Sequence, residues 1–259
     1  FLFGTAADEG LREYYKTAPI HPTETGAYFI SRHETTWADW IEFLEALSPA
    51  ERAKRTPSVS STGFHGGLSL KKEGGSWRLT MQPGAVRLSA AEGEPIRYPK
   101  RERRAVQDWR KMPVAGINAD DARAYAAWLA STGRVPNARL CTEREWERAA
   151  RGADAREYPH GGQLAPDDAN HDRTYGQVPE SFGPDEVGAH PVSESPFGVH
   201  DLSGNVWEWV ESSLEPGSAI ARGGSYYFSA STARVVNREK PEQTLRDLTV
   251  GVRICAGTE

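Results

Sequence analysis

The stretch 153–200 shows neither a helical nor a strand period and is rich in Gly, Pro, Asp, Asn and His. Any fold of this chain must therefore hold a long irregular segment in place. A loop of that length inside a compact domain needs a reason, and anchoring by metal or by buried aromatics is the one we expect. Aromatics are available: 8 Trp, 9 Tyr and 8 Phe accompany a hydrophobic content of only 38%, and each large ring buries much area. These figures suit a loop-rich domain better than a Leu-rich bundle. With 259 residues, one large domain is a common outcome, and we read 1–259 as one.

Regular structure is predicted around that segment. Phe1 to Gly4 reads as a short strand entering a turn, and Ala27 to Arg32 as a second strand. Apolar residues at 37, 40, 41, 44 and 47 have helical spacing, with Thr36 (or Thr35) as N-cap and Asp39 behind it. A second helix is expected over Asn118 to Thr132, capped by Asn118 and ended by Gly133. A third runs from Thr142 to Arg151, where Thr142 and Glu145 form a capping box and Gly152 stops it. Residues 50–110 look like an insertion. Within it, Gly67 to Lys72 and Ser76 to Met81 alternate on either side of Glu73-Gly74-Gly75, a hairpin pattern. Polar flanks predict a surface excursion. Arg222 to Phe228 and Thr249 to Ile254 read as late strands.

The charge of −5 argues against a phosphate-binding surface, so no nucleic-acid partner is expected. The basic run Lys100-Arg101-Glu102-Arg103-Arg104 is broken by Glu102 and reads as a solvated loop. No apolar run approaches the ~18 residues that would span a bilayer, so no membrane insertion is expected in this segment. The start at Phe1 instead of Met leads us to expect a piece of a longer, multidomain chain. Two cysteines, Cys141 and Cys255, could make one bridge, but the sequence does not place them together. Cys141 could instead be a thiol activated at a helix N-terminus, or a buried inert side chain.

In Asp201-Leu202-Ser203-Gly204-Asn205-Val206-Trp207-Glu208-Trp209, two carboxylates and the carbonyls between them can surround one point, a calcium-type arrangement. The plainer reading is that Asp201 and Glu208 accept backbone donors around buried Trp207 and Trp209. Of the seven histidines, His160, His171, His190 and His200 crowd the loop region. None has the spacing of a facial metal triad. Ser225 follows Gly223 and Gly224, but no His or acid is tied to it by sequence, and such serines mostly bond the backbone.

Taken in order, these features resemble a known family. Phe1-Leu2-Phe3-Gly4, Glu34-Thr35-Thr36, Pro113-Val114 and Asp120-Asp121-Ala122 come first. Arg139-Leu140-Cys141-Thr142-Glu143-Arg144-Glu145-Trp146-Glu147, Ala149-Ala150-Arg151-Gly152 and Ser195-Pro196-Phe197-Gly198 follow. Asp201 to Trp209, Arg222-Gly223-Gly224-Ser225 and Gly251-Val252-Arg253 complete the set. Together they resemble the sulfatase-modifying, formylglycine-generating-enzyme family from end to end, the insertion apart. The resemblance implies an α+β fold, a variant of the C-type lectin fold with little regular structure and long irregular loops. It also implies structural calcium at two places. One uses the side chains of Asp201 and Glu208 with the carbonyls of Gly204 and Val206. The other, aligned to within about one residue, uses Asn170, the carbonyl of His171, Asp185 and the carbonyl of Val187.

Family enzymes bind copper through two cysteines, a soft pair suited to Cu(I). Phe228 and Ala233 stand at those positions, so the resemblance implies no copper, no catalytic residues of the family's kind, and a pseudoenzyme. The expected function is a non-catalytic binding or sensory module in a larger bacterial protein, with an unknown ligand or protein partner. Bacterial Ser/Thr kinases carry domains of this type, and the Phe64-His65-Gly66-Gly67 segment is similar to theirs. The alternative is a divergent oxidoreductase using a non-copper metal or cofactor. The compartment, bacterial cytoplasm or cell envelope, follows the parent protein.

Overall fold

A computed structural model of the chain describes residues 1–60 and 65–258; Phe64 lies outside them. The three expected helices begin where their caps dictate. Trp37–Ala46, Ala119–Ser131 and Glu143–Arg151 each follow a complete capping box, formed by Thr36 with Asp39, Asn118 with Asp121, and Thr142 with Glu145. Gly152, at φ 70°, turns the chain out of the third helix. Two shorter helices were not expected, Glu9–Tyr14 and Pro49–Arg55.

The central sheet is four-stranded, in the order Arg238–Glu239, Ala219–Arg222, Trp207–Glu211, Val250–Val252. Trp207–Glu211 pairs antiparallel with Ala219–Arg222 and parallel with Val250–Val252, where Glu208 sits opposite Gly251. A Cβ at Gly251 would lie 2.3 Å from the Val114 carbonyl oxygen, so a side chain is excluded there. The strand expected from Arg222 to Phe228 ends at Arg222. Gly223 and Gly224 adopt φ of 98° and 77° and swing the chain off the sheet. A second sheet joins Ala138–Leu140, Ile254–Gly257 and Tyr28–Ile30.

The insertion departs most from expectation. Its hairpin is as read, Gly67–Glu73 against Ser76–Gln82, turned by Gly74 and Gly75 at φ 57° and 91°. The hairpin is no surface excursion, however. Ser58–Val59 and Leu88–Ala91 extend it to four strands. Leu68, Leu70, Trp77, Leu79 and Met81 enter the same buried cluster as Trp37, Trp40, Trp109 and Trp209. Alternation gave this sheet one apolar face, and that face needs cover. Between 153 and 200 the only helices or strands among the described residues are the short 3-10 helices Pro179–Ser181 and Pro191–Ser193, as the sequence implied.

Candidate functional site

The segment Asp201 to Trp209 is shaped by left-handed backbone at Asp201, Gly204 and Asn205, with φ of 60°, 85° and 58°. At Gly204 no side chain could replace hydrogen, since a Cβ would meet the Asn170 carbonyl oxygen at 2.2 Å. Glu208 is fully buried. Its oxygens accept from Arg253 Nη2 at 2.7 Å, Arg253 Nε at 3.0 Å and Trp146 Nε1 at 2.7 Å. Asp201 Oδ2 accepts from the Gly188 amide at 2.6 Å.

A third acid joins them that the sequence reading used only as part of a motif. Glu34, 2% exposed, accepts from Asn205 Nδ2 at 3.2 Å through Oε2, while its Oε1 is buried without a hydrogen-bond partner. Burial, and then the neighbouring Asp201 charge, hold the Glu34 carboxyl well above the usual carboxylate range. Burial also raises Glu208, against the pull of Arg253. A buried acidic oxygen with no donor is costly, and a hard cation is one remedy. Calcium takes oxygens of this kind, though both oxygens of Glu208 already accept from Arg253 and Trp146. Among the described residues no three His, Cys, Asp or Glu side chains close on one point as a metal cage, so such an ion would depend on the carbonyls of Gly204 and Val206.

The Asp185 set is arranged differently. Asp185 Oδ1 accepts from Arg101 Nη1 at 2.5 Å and from Gln107 Nε2 at 2.6 Å. Its Oδ2 accepts from the Tyr175 hydroxyl at 2.7 Å and lies 2.8 Å from His190 Nε2. Burial opposes ionisation, yet Arg101, with His190 and Tyr175, holds the Asp185 carboxyl far below the usual range. Asn170 turns its Nδ2 to the Gly183 carbonyl, and the His171 carbonyl accepts from the Thr174 amide. As arranged, these residues do not fit a calcium ion: the carboxylate is already surrounded by N–H and O–H donors. Arg101 belongs to the run expected to be a solvated loop. That expectation fails for it, because its side chain is fully buried. Arg103 and Arg104 pair with Asp167, at 2.6 and 2.9 Å.

At the expected thiol positions, the Phe228 ring packs edge-on to Trp207, His65 and Tyr227 with centroids 5.9, 5.0 and 5.7 Å away, and Ala233 is buried. Beside them opens a cleft of about 330 Å³ lined by Phe228, Trp207, His65, Asp247, Thr249 and Leu245, among others. His65 Nδ1 lies 2.9 Å from Asp247 Oδ2, and Thr249 Oγ1 donates to Asp247 Oδ1 at 2.6 Å. Burial raises the Asp247 carboxyl, but these bonds outweigh it and leave it lowered. No spacing in the sequence joined His65 to Asp247; the insertion delivers the histidine.

The remaining candidates are structural. Cys141 and Cys255 form a disulfide across a separation of 114 residues, so Cys141 is not a free thiol. His160 and His171 each pair with a nearby Asp, and His200 stacks on His33 at 5.1 Å. They do not converge on a metal. Ser225 Oγ accepts from the Tyr227 amide at 3.3 Å, a backbone bond of the expected kind.

Residues 1–257 match the family model described as the sulfatase-modifying factor enzyme 1-like domain, and the chain belongs to that family. It is 31% identical over 228 residues to a formylglycine-generating enzyme of Mycobacterium tuberculosis, covering 79% of this chain and 70% of that one. It is 36% identical over 143 residues to the inactive C-alpha-formylglycine-generating enzyme 2 of Mus musculus, covering 49% and 44%. The serine/threonine-protein kinase pkn1 of Chlamydia pneumoniae is 24% identical over 98% of this chain, which spans 36% of that protein. Among solved structures, PvdO from Pseudomonas aeruginosa superposes with a TM-score of 0.67 at 21% identity, over 99% of this chain and 90% of that one. The fold is thus the α+β formylglycine-generating-enzyme-like fold.

Proposed function

We propose that this chain is a non-catalytic binding or sensory module of a larger protein, with a protein kinase as the parent class. One observation carries the reading: Phe228 and Ala233 stand where the family's copper thiolates are expected, and the chain's two cysteines are paired elsewhere. A phenyl ring and a methyl group can neither hold Cu(I) nor cycle electrons. The cleft beside them offers an apolar wall with a few polar groups, the usual make-up of a ligand site. The kinase parent is supported by the match that spans only about a third of pkn1. In this reading the scaffold displays loops in the manner of C-type lectins. It is stabilised by calcium at the side chains of Asp201 and Glu208 and the carbonyls of Gly204 and Val206, beside the unpartnered Glu34 oxygen.

A second reading, a divergent oxidoreductase with a non-copper metal or cofactor, draws on the His65–Asp247 pair at the cleft. Elemental analysis of the purified protein separates the two, run beside an assay of cysteine oxidation in a sulfatase-type peptide. The module reading expects calcium, no stoichiometric iron or copper, and no formylglycine. Stoichiometric iron or copper, or turnover of the peptide, overturns it.

A further inference from the structure

We infer that the guanidinium of Arg101 is the resident cation of the Asp185 locus, an internal replacement for a metal ion that fastens the insertion to the long irregular loop. Three observations meet there. The first is that both side chains are fully excluded from solvent and lie 2.5 Å apart. Residues this polar are rarely buried without a partner. The second is what Arg101 collects. Its Nε donates to the Ser181 carbonyl at 2.7 Å, its Nη2 to the Gly183 carbonyl at 2.7 Å, and its Nη1 to the Asp185 carboxylate. Two carbonyls and a carboxylate, taken from alternate residues of one segment, are the oxygen types that a calcium site gathers. A planar fork of five N–H donors can gather them as well, with charge that needs no exchangeable ion.

The third observation is that the guanidinium is itself held on both faces. Its central carbon lies 3.4 Å from the centroid of the Tyr98 ring and 3.9 Å from that of Tyr175. Tyr175 also donates its hydroxyl to Asp185, and the Tyr98 hydroxyl donates to the Pro184 carbonyl at 2.7 Å. Gly183, at φ 147°, makes room for this packing: a Cβ there would lie 2.5 Å from the Tyr98 hydroxyl oxygen. The arginine, both tyrosines and the glycine therefore form one fitted clamp. It joins residues 98–107 to residues 175–190, which no regular element connects.

Removing the guanidinium from this clamp would leave Asp185 facing the Ser181 carbonyl without a donor and the Gly183 carbonyl with Asn170 alone, an arrangement that a hard divalent ion can complete. The inference does not depend on whether the module is catalytic. Calcium equivalents per chain, measured by equilibrium dialysis, and the melting temperature with calcium or with chelator test it in the intact protein, Arg101→Ala and Asp185→Asn. We expect Arg101→Ala to bind about one calcium more than the wild-type protein. Its melting temperature should respond to millimolar calcium by several degrees more than that of the wild type. Asp185→Asn should leave the calcium count of the wild-type arginine background unchanged. Loss of an equivalent in Asp185→Asn would mean that Asp185 already holds an ion, and would overturn the inference. So would Arg101→Ala that folds but gains no calcium, or that fails to refold with calcium as it fails without.

Discussion

Two acidic loci in the loop region solve opposite electrostatic problems. At Asp185 one buried carboxylate meets a buried guanidinium and three further partners, Gln107, Tyr175 and His190. Around Asp201 the buried acids Glu34, Asp201 and Glu208 have Arg253 as the cation acting on them, and one oxygen of Glu34 has no donor. The first locus is complete as the chain folds. The second is complete only when something neutralises the excess, whether protons or an added cation. In this chain a buried arginine holds the irregular backbone at Asp185, while near Asp201 one buried oxygen of Glu34 is left without a donor.

The comparison breaks most decisively if Asp185→Asn proves mild. It leaves Arg101 buried beside a neutral amide, and loss of one partner of such a pair costs about 3–5 kcal/mol. The midpoint of chemical denaturation, measured in chelator, checks this. Glu34→Gln should move the other way, raising stability by about 1 kcal/mol at alkaline pH in chelator. It removes a charge one of whose oxygens has no donor, and keeps an oxygen for Asn205. Destabilisation by that substitution would show that Glu34 is ionised and balanced.

The two loci should also bend the pH profile in opposite senses. Asp185 is lowered on folding, so its contribution is present above the unfolded value of about 4 and fades as pH falls through the folded one. Glu34 is raised, so its contribution is full below the unfolded value of about 4.3 and is lost as pH climbs through the folded one. Melting temperatures across pH in chelator should therefore show, above the unfolded value, a decline that Glu34→Gln relieves and that calcium reduces. An effect no larger than that of Glu34→Gln is expected from Tyr175→Phe. It deletes one hydroxyl from Asp185 while keeping the ring against Arg101, at a cost of about 1 kcal/mol by the same denaturation midpoint.

Local signals were legible in the sequence because their physics is local. Each capping box spans four residues, so Thr36, Asn118 and Thr142 marked their helices to within a residue. The hairpin at Gly74-Gly75 was equally readable, since its turn requires positive φ. The Asp201 to Trp209 segment pointed to the scaffold, and the replacement of the thiols by Phe228 and Ala233 needed only their identities. The strand expected past Arg222 failed because two glycines that could have extended it turn it instead.

What the sequence by itself determined, then, is the family scaffold, its helix starts and the absence of thiols at residues 228 and 233. Only the tertiary structure decided that the insertion helps to build the core, that Cys141 meets Cys255, and that Glu34 lies among the other acids. It alone paired His65 with Asp247 and took Arg101 from an apparently solvated basic run into a sealed clamp. These contacts join residues 84 apart in the case of Arg101 and Asp185, 114 apart for the disulfide and 171 apart for Glu34 and Asn205. No periodicity or cap encodes such distances. A charged side chain's neighbours follow from which loops the core brings together, and the same arginine reads as surface or as counter-ion until that packing is known.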